Sequence, residues 1–362
     1  MNSTLELSEL NTMIGRLFMS GMPGTKLDSI TEELIANYCL NGIILFKRNI
    51  ENPIQLATLC NDLQEASIKY HGIPLFIALD QEGGRVARLQ KPFTVFPGNT
   101  AICKNARSEE KAREFATITA KEMSLVGLNM NMAPVLDVIH GEPEKHLQGR
   151  SFGVDPVIVA SLGSIIIKGL QSNNVMAVAK HFPGLGKTSQ DPHHQLPIID
   201  IPEGEIQSIN LPPFKEAIQM DVSAIMTSHA IYPNLDPERP ASLSKIILTD
   251  LLRNTLDYKG LIITDDLEMG AIVNKWGVTG GALASFDAGA DILLICEDQN
   301  VVVKTIHALK NRFLIGKIHI NQLQQSIKRI KIAKSRFLDK QNTVLLDKVK
   351  GYFNLKQDCG SP

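Results

Sequence analysis

Residues 74–89 read PLFIALDQEGGRVARL. After the proline comes an apolar run without polar alternation, the pattern of a strand buried on both faces, as in a parallel sheet. The run stops abruptly at Asp80, and Gln81, Glu82, two glycines and Arg85 follow at once. The same figure recurs along the chain. Further apolar runs cover 16–20, 42–46, 128–136, 175–179, 224–226, 261–263 and 291–295. Helical patterns lie between them. Over 53–70 the apolar positions are Ile54, Leu56, Leu59, Leu63 and Ala66, stretch 109–126 is a mixed-charge amphipath, and 244–256 opens on Ser244, a residue able to cap a helix. Eight buried strands separated by helices predict an α/β chain folded as a (β/α)8 TIM barrel, with room for irregularity in the first strands. A doubly wound open sheet is the alternative, but no GxGxxG follows the first run.

The chain has 362 residues, which exceeds the roughly 250 that such a barrel needs. We assign 1–340 to one barrel with added loops and 341–362 to a C-terminal extension, a loose tail after about residue 355. Ile320, Leu323, Ile327, Ile330 and Phe337 recur at helical spacing and predict a C-terminal packing helix. Its Lys328, Arg329, Lys331 and Lys334 are expected on a solvated face. The net charge of −1 provides no field that would draw nucleic acid. No apolar run reaches the roughly 20 residues that span a bilayer, so no membrane insertion is expected. The N-terminus lacks a basic start followed by an apolar stretch and does not read as a signal peptide. The five cysteines are scattered without a CxxC pair, which argues against a disulfide framework and against a zinc site. A reducing cytoplasm is the simplest compartment. No cofactor is called for and no cluster of metal ligands is visible, so the metal expectation is none.

Polar residues collect directly after the runs, where a barrel builds its active site. The third run leads to Asp80 and on to Arg88, the fifth to Lys180 and His181, and the sixth to Thr227, Ser228 and His229. The seventh leads to Thr264, Asp265 and Asp266, and the eighth to Glu297 and Asp298. The stretch 180–197, KHFPGLGKTSQDPHHQLP, carries three prolines and two glycines and reads as a loop. Within it Asp191 and His193 flank Pro192. Proline holds its own φ and pushes its predecessor toward extended backbone, which lets the two side chains approach. A carboxylate on one imidazole nitrogen fixes the tautomer and frees the other for proton transfer.

Four motifs, in order, carry a resemblance: LDQEGGRVARL at 79–89, GRSFG at 149–153, KHFPGxGxxxxDxHxxLP at 180–197 and ITDDLEM at 263–269. Together they resemble the family-three glycoside hydrolases, in particular the single-domain β-N-acetylglucosaminidase branch, over about residues 10–340. The resemblance implies Asp265 as nucleophile and His193 as acid/base, oriented by Asp191. It implies that Asp80, Arg88, Arg150, Lys180 and His181 hold the terminal sugar. It further implies an exo-acting retaining β-N-acetylhexosaminidase, a monomer that removes N-acetylglucosamine from peptidoglycan fragments in cytoplasmic cell-wall recycling. Residues with a blander expectation are Asp266 and Glu82 behind the nucleophile and the sugar site, Trp276 in surface packing, and His229, open between pocket and packing.

The chemistry is consistent with those roles. Retaining hydrolysis needs a fixed carboxylate nucleophile and a group that gives and then takes a proton. An imidazole with a free pKa near 6.5 can do the latter. The chain departs from the branch in three places. Leu185 and Lys187 stand where GHGDT is common, and Pro192 replaces a serine; these changes bear on loop mobility and on the leaving-group side. The loop's length beyond its strand leads us to expect that His193 moves into place when substrate closes it. Competing activities are a β-glucosidase, a glycoside phosphorylase, and a non-catalytic muropeptide sensor.

Overall fold

All eight apolar runs form strands of one parallel sheet: β1 Phe18–Ser20, β2 Gly42–Leu45, β3 Phe76–Leu79, β4 Met130–Asn131, β5 Met176–Phe182, β6 Ala224–Thr227, β7 Leu261–Thr264 and β8 Leu293–Ile295. The computed structural model describes residues 7–141, 144–188, 190–338 and 343–355. Each strand pairs with its sequence neighbours, and β1 pairs with β8. The ring is completed between β7 and β8, where Ile263 and Ile292 form a parallel bridge. The fold is therefore a (β/α)8 barrel. The first strands are regular; the shortest is β4, with two residues.

Local chemistry sets the helices between them. Asn52 caps helix Pro53–His71, accepting from the N–H groups of Ile54 at 3.0 Å and Gln55 at 2.9 Å, while Pro53 occupies the first turn. Such a cap contributes about 1 kcal/mol. Ser244 Oγ accepts from the N–H of Ile247 at 3.2 Å, as its position suggests. The helix it opens, Ile246–Thr255, has the wider π-type bonding, a distinction that apolar spacing does not encode.

Helix Ile320–Leu338 packs as expected through buried Leu323, Ile327, Ile330 and Phe337. Its basic residues require a correction. Lys328 and Lys331 are exposed, but Lys334 is buried and donates to the carbonyls of Asn41 at 3.1 Å and Pro74 at 2.7 Å. Those carbonyls precede β2 and β3; Asn41's already accepts the N–H of Phe76 at 3.1 Å, and the lysine adds a donor to each. Burial, with the Arg16 charge adding to it, brings the Lys334 ammonium down to about 7. Arg329 pairs with the fully buried Asp291 at 2.9 Å. Helix Leu346–Tyr352 buries Val349, and Asn61 exchanges two hydrogen bonds with the backbone of Val344, at 2.8 and 3.0 Å. The described part of the C-terminal extension is thus held on the barrel; the tail expected after residue 355 lies outside the described residues. No described helix is long and apolar enough to cross a membrane.

Candidate active site

A cavity of about 350 Å³ opens among the loops that follow the strands. Its walls include Asp80, Arg88, Arg150, Lys180, His181, His193 and Asp265. Of the candidate residues only Asp191 is off the wall, behind His193. A larger cavity, about 860 Å³, is lined by Pro74, Gly127 and Asn173 among others. These precede β3, β4 and β5, so it lies at the stability face of the barrel rather than the catalytic one.

Asp265 follows the last residue of β7, and its N–H donates to the carbonyl of Thr227 at 3.3 Å. Burial alone would raise its carboxyl. His181 and His229, the Asp266 N–H on its Oδ1 at 2.9 Å, and to a lesser degree Lys180 more than offset that, and the group is held below the usual range. Asp265 is therefore an anion near neutral pH. His229 is fully buried and makes no part of the cavity wall. Its Nε2 donates to the carbonyl of Asp266 at 3.0 Å and its Nδ1 meets Ser242 Oγ at 2.7 Å, so it is a shelf beneath the Asp265 turn. Asp298, beyond β8, caps helix Gln299–Leu314 through the N–H of Asn300 at 2.9 Å.

The opposite side is a charge network. Lys180 is buried and lies 2.8 Å from both Asp80 and Glu82. Arg88 donates to the other oxygen of Asp80 at 3.0 Å. Arg150 grips Glu82 with two parallel bonds, 2.9 and 2.8 Å, a geometry that locks its guanidinium plane. Burial pushes the Asp80 carboxyl up, but Lys180 and Arg88 hold it well below the usual range. The five groups form one alternating array in which no buried charge lacks a partner.

His181 donates from Nδ1 to Asp137 at 2.8 Å. Asp137 Oδ1 also accepts from the N–H of His181 at 3.2 Å and of Leu185 at 2.7 Å. Sequence reading passed over Asp137, which sits in an apolar stretch 44 residues before its partner. It fixes the His181 tautomer and pins the first part of the 180–197 loop. Gly186 lets that part lie flat, since a Cβ there would stand 1.6 Å from the carbonyl oxygen of Val138. Leu185 is buried on the cavity wall, whereas Lys187 is exposed 3.8 Å from Glu205.

The second part of the loop carries the dyad. His193 Nδ1 lies 2.6 Å from Asp191 Oδ1, which also accepts the His193 backbone N–H at 3.0 Å. The imidazole side chain is 59% exposed, open to a reacting partner. The loop is docked here. The N–H groups of Gly270 and Ala271, unpaired within helix Gly270–Ala288, donate to the carbonyls of His193 at 3.0 Å and Pro192 at 3.1 Å. His193 thus stands on the same cavity as Asp265. A Cβ on residue 270 would sit 2.6 Å from the carbonyl oxygen of His194. Gly270→Ala is expected to undock the loop, two hydrogen bonds of about 1 kcal/mol each. Turnover should fall about tenfold for leaving groups that need protonation, with the melting temperature little changed. Equal rates for Gly270→Ala and wild type on such a substrate would show that docking is irrelevant.

Comparison with known proteins gives the family. Residues 9–333 match the model of the glycosyl hydrolase family 3 N terminal domain. The chain belongs to glycosyl hydrolase family 3. A beta-hexosaminidase A of Pseudoalteromonas piscicida is 37% identical over 287 residues, 75% of this chain and 48% of that protein. The chain therefore spans about half the length of that relative. A beta-hexosaminidase of Idiomarina loihiensis is 34% identical over 293 residues, covering 80% of this chain and 86% of its own. The solved structure of a family 3 beta-N-acetylglucosaminidase from Paenibacillus sp. str. FPU-7 superposes with a TM-score of 0.89 at 35% identity, over 95% of this chain and 67% of that one.

In this family 3 barrel, Asp266 has a pH signature beside the reacting groups. Burial pushes its carboxyl up to about 7, with Glu268 and Asp265 adding to the rise against a bond from the Glu268 N–H. The unfolded value is about 3.9. The folded chain holds the extra proton between those values, so stability falls as pH rises from about 4 to about 7. Asp266→Asn keeps the acceptor oxygen and cannot ionise. Its denaturation midpoint is expected to decline less than wild type between pH 5 and pH 7.5; parallel declines would contradict the assignment.

Sequence reading also missed a cluster. Glu144, His146 and Asp191 each bring a possible ligand atom within 4.8 Å of the others. They come from two loops distant in sequence, so spacing could not reveal them. Trp276 is half-buried against the core and off the cavity wall, as expected.

Proposed function

We propose that the chain is an exo-acting retaining β-N-acetylhexosaminidase. It removes terminal N-acetylglucosamine from peptidoglycan-derived fragments, acting as a monomer in the cytoplasm. The observation that carries the reading is one small cavity with an ionised, rigidly held Asp265 on one wall and a preassembled Asp191–His193 pair on another. Its volume is at the low end for small-molecule sites and suits a single sugar rather than a chain. The beta-hexosaminidase names of the relatives support the amino-sugar substrate.

Asp80, Lys180, Arg88 and His181 offer charged and polar atoms to the sugar hydroxyls. Asp265 attacks the anomeric carbon as protonated His193 gives a proton from Nε2 to the departing glycosidic oxygen. The products are a glycosyl ester on Asp265 and a free aglycone. Neutral His193 then takes a proton from water, which attacks the same carbon and restores the carboxylate with net retention. Asp191 holds Nδ1 and supports the imidazolium in the first step. A neutral imidazole, unlike a second carboxylate, also leaves Asp265 free of a neighbouring anion on that side. Exposed Arg85 on the cavity wall would suit an acidic aglycone.

Rates on an aryl N-acetylglucosaminide and the matching aryl glucoside, each with and without phosphate, test the reading. At least a tenfold preference in kcat/KM for the N-acetyl substrate is expected, with free sugar as product throughout. Preference for the glucoside would favour a β-glucosidase, sugar 1-phosphate a phosphorylase, and tight binding without turnover a sensor.

A further inference from the structure

We propose that Asp137 sets the polarity of the sugar contact at His181: it makes Nε2 an acceptor, so the substrate must present a hydroxyl donor there. Asp137 is fully buried and absent from the cavity wall, while His181 lies on that wall. The carboxylate therefore acts through the imidazole, as a positioning residue. Its two oxygens have separate duties. Oδ1 accepts the N–H of Leu185 at 2.7 Å and of His181 at 3.2 Å. Oδ2 faces His181 Nδ1 at 2.8 Å. His181 Nε2 has no hydrogen-bond partner among the described residues.

An ionised carboxylate can only accept. Burial pushes the Asp137 carboxyl up, but His181 and the two N–H groups more than offset that and hold it below the usual range. Asp137 thus has no proton to give, and Nδ1 must supply the one between them. In a neutral imidazole one nitrogen donates and the other accepts. Nε2 is left with its lone pair. Its neighbours on the wall are of the other kind: Lys180, Arg88 and Arg150 can only donate. A hydroxyl satisfies both kinds at once, accepting from a cation and donating to Nε2. An ether or a fluorine cannot donate, and leaves the buried acceptor unpaired. This consequence rests on reading the cavity as a sugar site; the tautomer does not.

Asp137→Asn reverses the contact without removing it. The carboxamide oxygen is needed at the Oδ1 position, where two N–H groups converge. The NH2 group then takes the Oδ2 position and donates to Nδ1. The ring proton moves to Nε2, where it opposes the substrate's own donor.

The full chain with 15N-labelled histidine shows the tautomer in its imidazole nitrogen shifts, at a pH where the ring is neutral and with His181→Ala for assignment. The proton is expected on Nδ1 in wild type and on Nε2 in Asp137→Asn. A nitrophenyl N-acetylglucosaminide and its 3-, 4- and 6-deoxyfluoro forms then read the contact. For the parent, kcat/KM should fall about ten- to a hundredfold in Asp137→Asn, in a protein that still melts cooperatively. At one of the three positions the preference for hydroxyl over fluorine should shrink by about tenfold or more in the variant. At the other two it should be the same in both proteins, because fluorine's own electronic effect is common to them. A wild-type proton on Nε2, or equal preferences in the two proteins at all three positions, overturns the proposal. Should Asp137→Asn fail to fold, the wild-type spectrum still decides the tautomer. A parent glycoside that wild type does not cleave removes the sugar reading, and the contact with it, even with the proton on Nδ1. A proton on Nε2 in an active enzyme removes the proposal alone.

Discussion

Asp265→Ala is expected to lower kcat/KM by about 10⁴-fold or more while leaving the fold intact. The loss is large because the other carboxylates on the wall are engaged elsewhere, Glu297 by Arg48 at 2.6 Å. Asp266, next in sequence, has its oxygen engaged by the N–H groups of Glu268 at 3.1 Å and Cys296 at 3.3 Å. Asp80 is closed off by Lys180 and Arg88. Stability should fall modestly at neutral pH, since the charges and the N–H bond that hold this carboxyl below its usual range lose their partner. Azide supplied to this variant would attack from the vacated face and give the α-glycosyl azide. Near-wild-type activity in Asp265→Ala, with a melting temperature showing a folded protein, would remove Asp265 from the mechanism.

His193→Ala is the second large effect, and its size should depend on the leaving group. For a natural or weakly acidic aglycone kcat/KM should fall about 10²–10⁴-fold, the usual worth of a placed general acid. For a dinitrophenyl glycoside, which departs without a proton, it should fall less than about tenfold. The glycosyl-enzyme then builds up, because water lacks its base, and a burst of dinitrophenol precedes a slow steady state. Azide should relieve that second step with the β-glycosyl azide as product, the opposite anomer from Asp265→Ala. The side chain is 59% exposed, so truncation has little to disturb. Equal losses on both substrates would rule out the acid role.

The fold was legible because strands buried on both faces leave unbroken apolar runs, and all eight survive as β1–β8. Asp80, Lys180 and Asp265 were legible as sites because each follows such a run directly. What folding alone decides was not legible. Asp137 also follows its run directly, but Val138 and Ile139 continue the apolar stretch and mask it, and its partner becomes plain only when the bridge of Val135 to Lys180 brings it beside His181. Glu82 and Arg150 find each other across 68 positions. The docking of Pro192 and His193 on Gly270 and Ala271 depends on where a helix begins. Lys334 has the spacing of a surface lysine, yet it faces the carbonyls before β2 and β3. In each case the sequence shows a side chain's character but not the backbone group that will stand opposite.

A fluorinated N-acetylglucosamine donor that reacts quickly and releases slowly tests the central claim most directly. Wild-type protein treated with it should gain the mass of one sugar, and digestion should place that sugar on Asp265, in the peptide that contains Thr264-Asp265-Asp266. A label on any other residue, or steady turnover of the donor with no labelled protein at any time, would contradict the account.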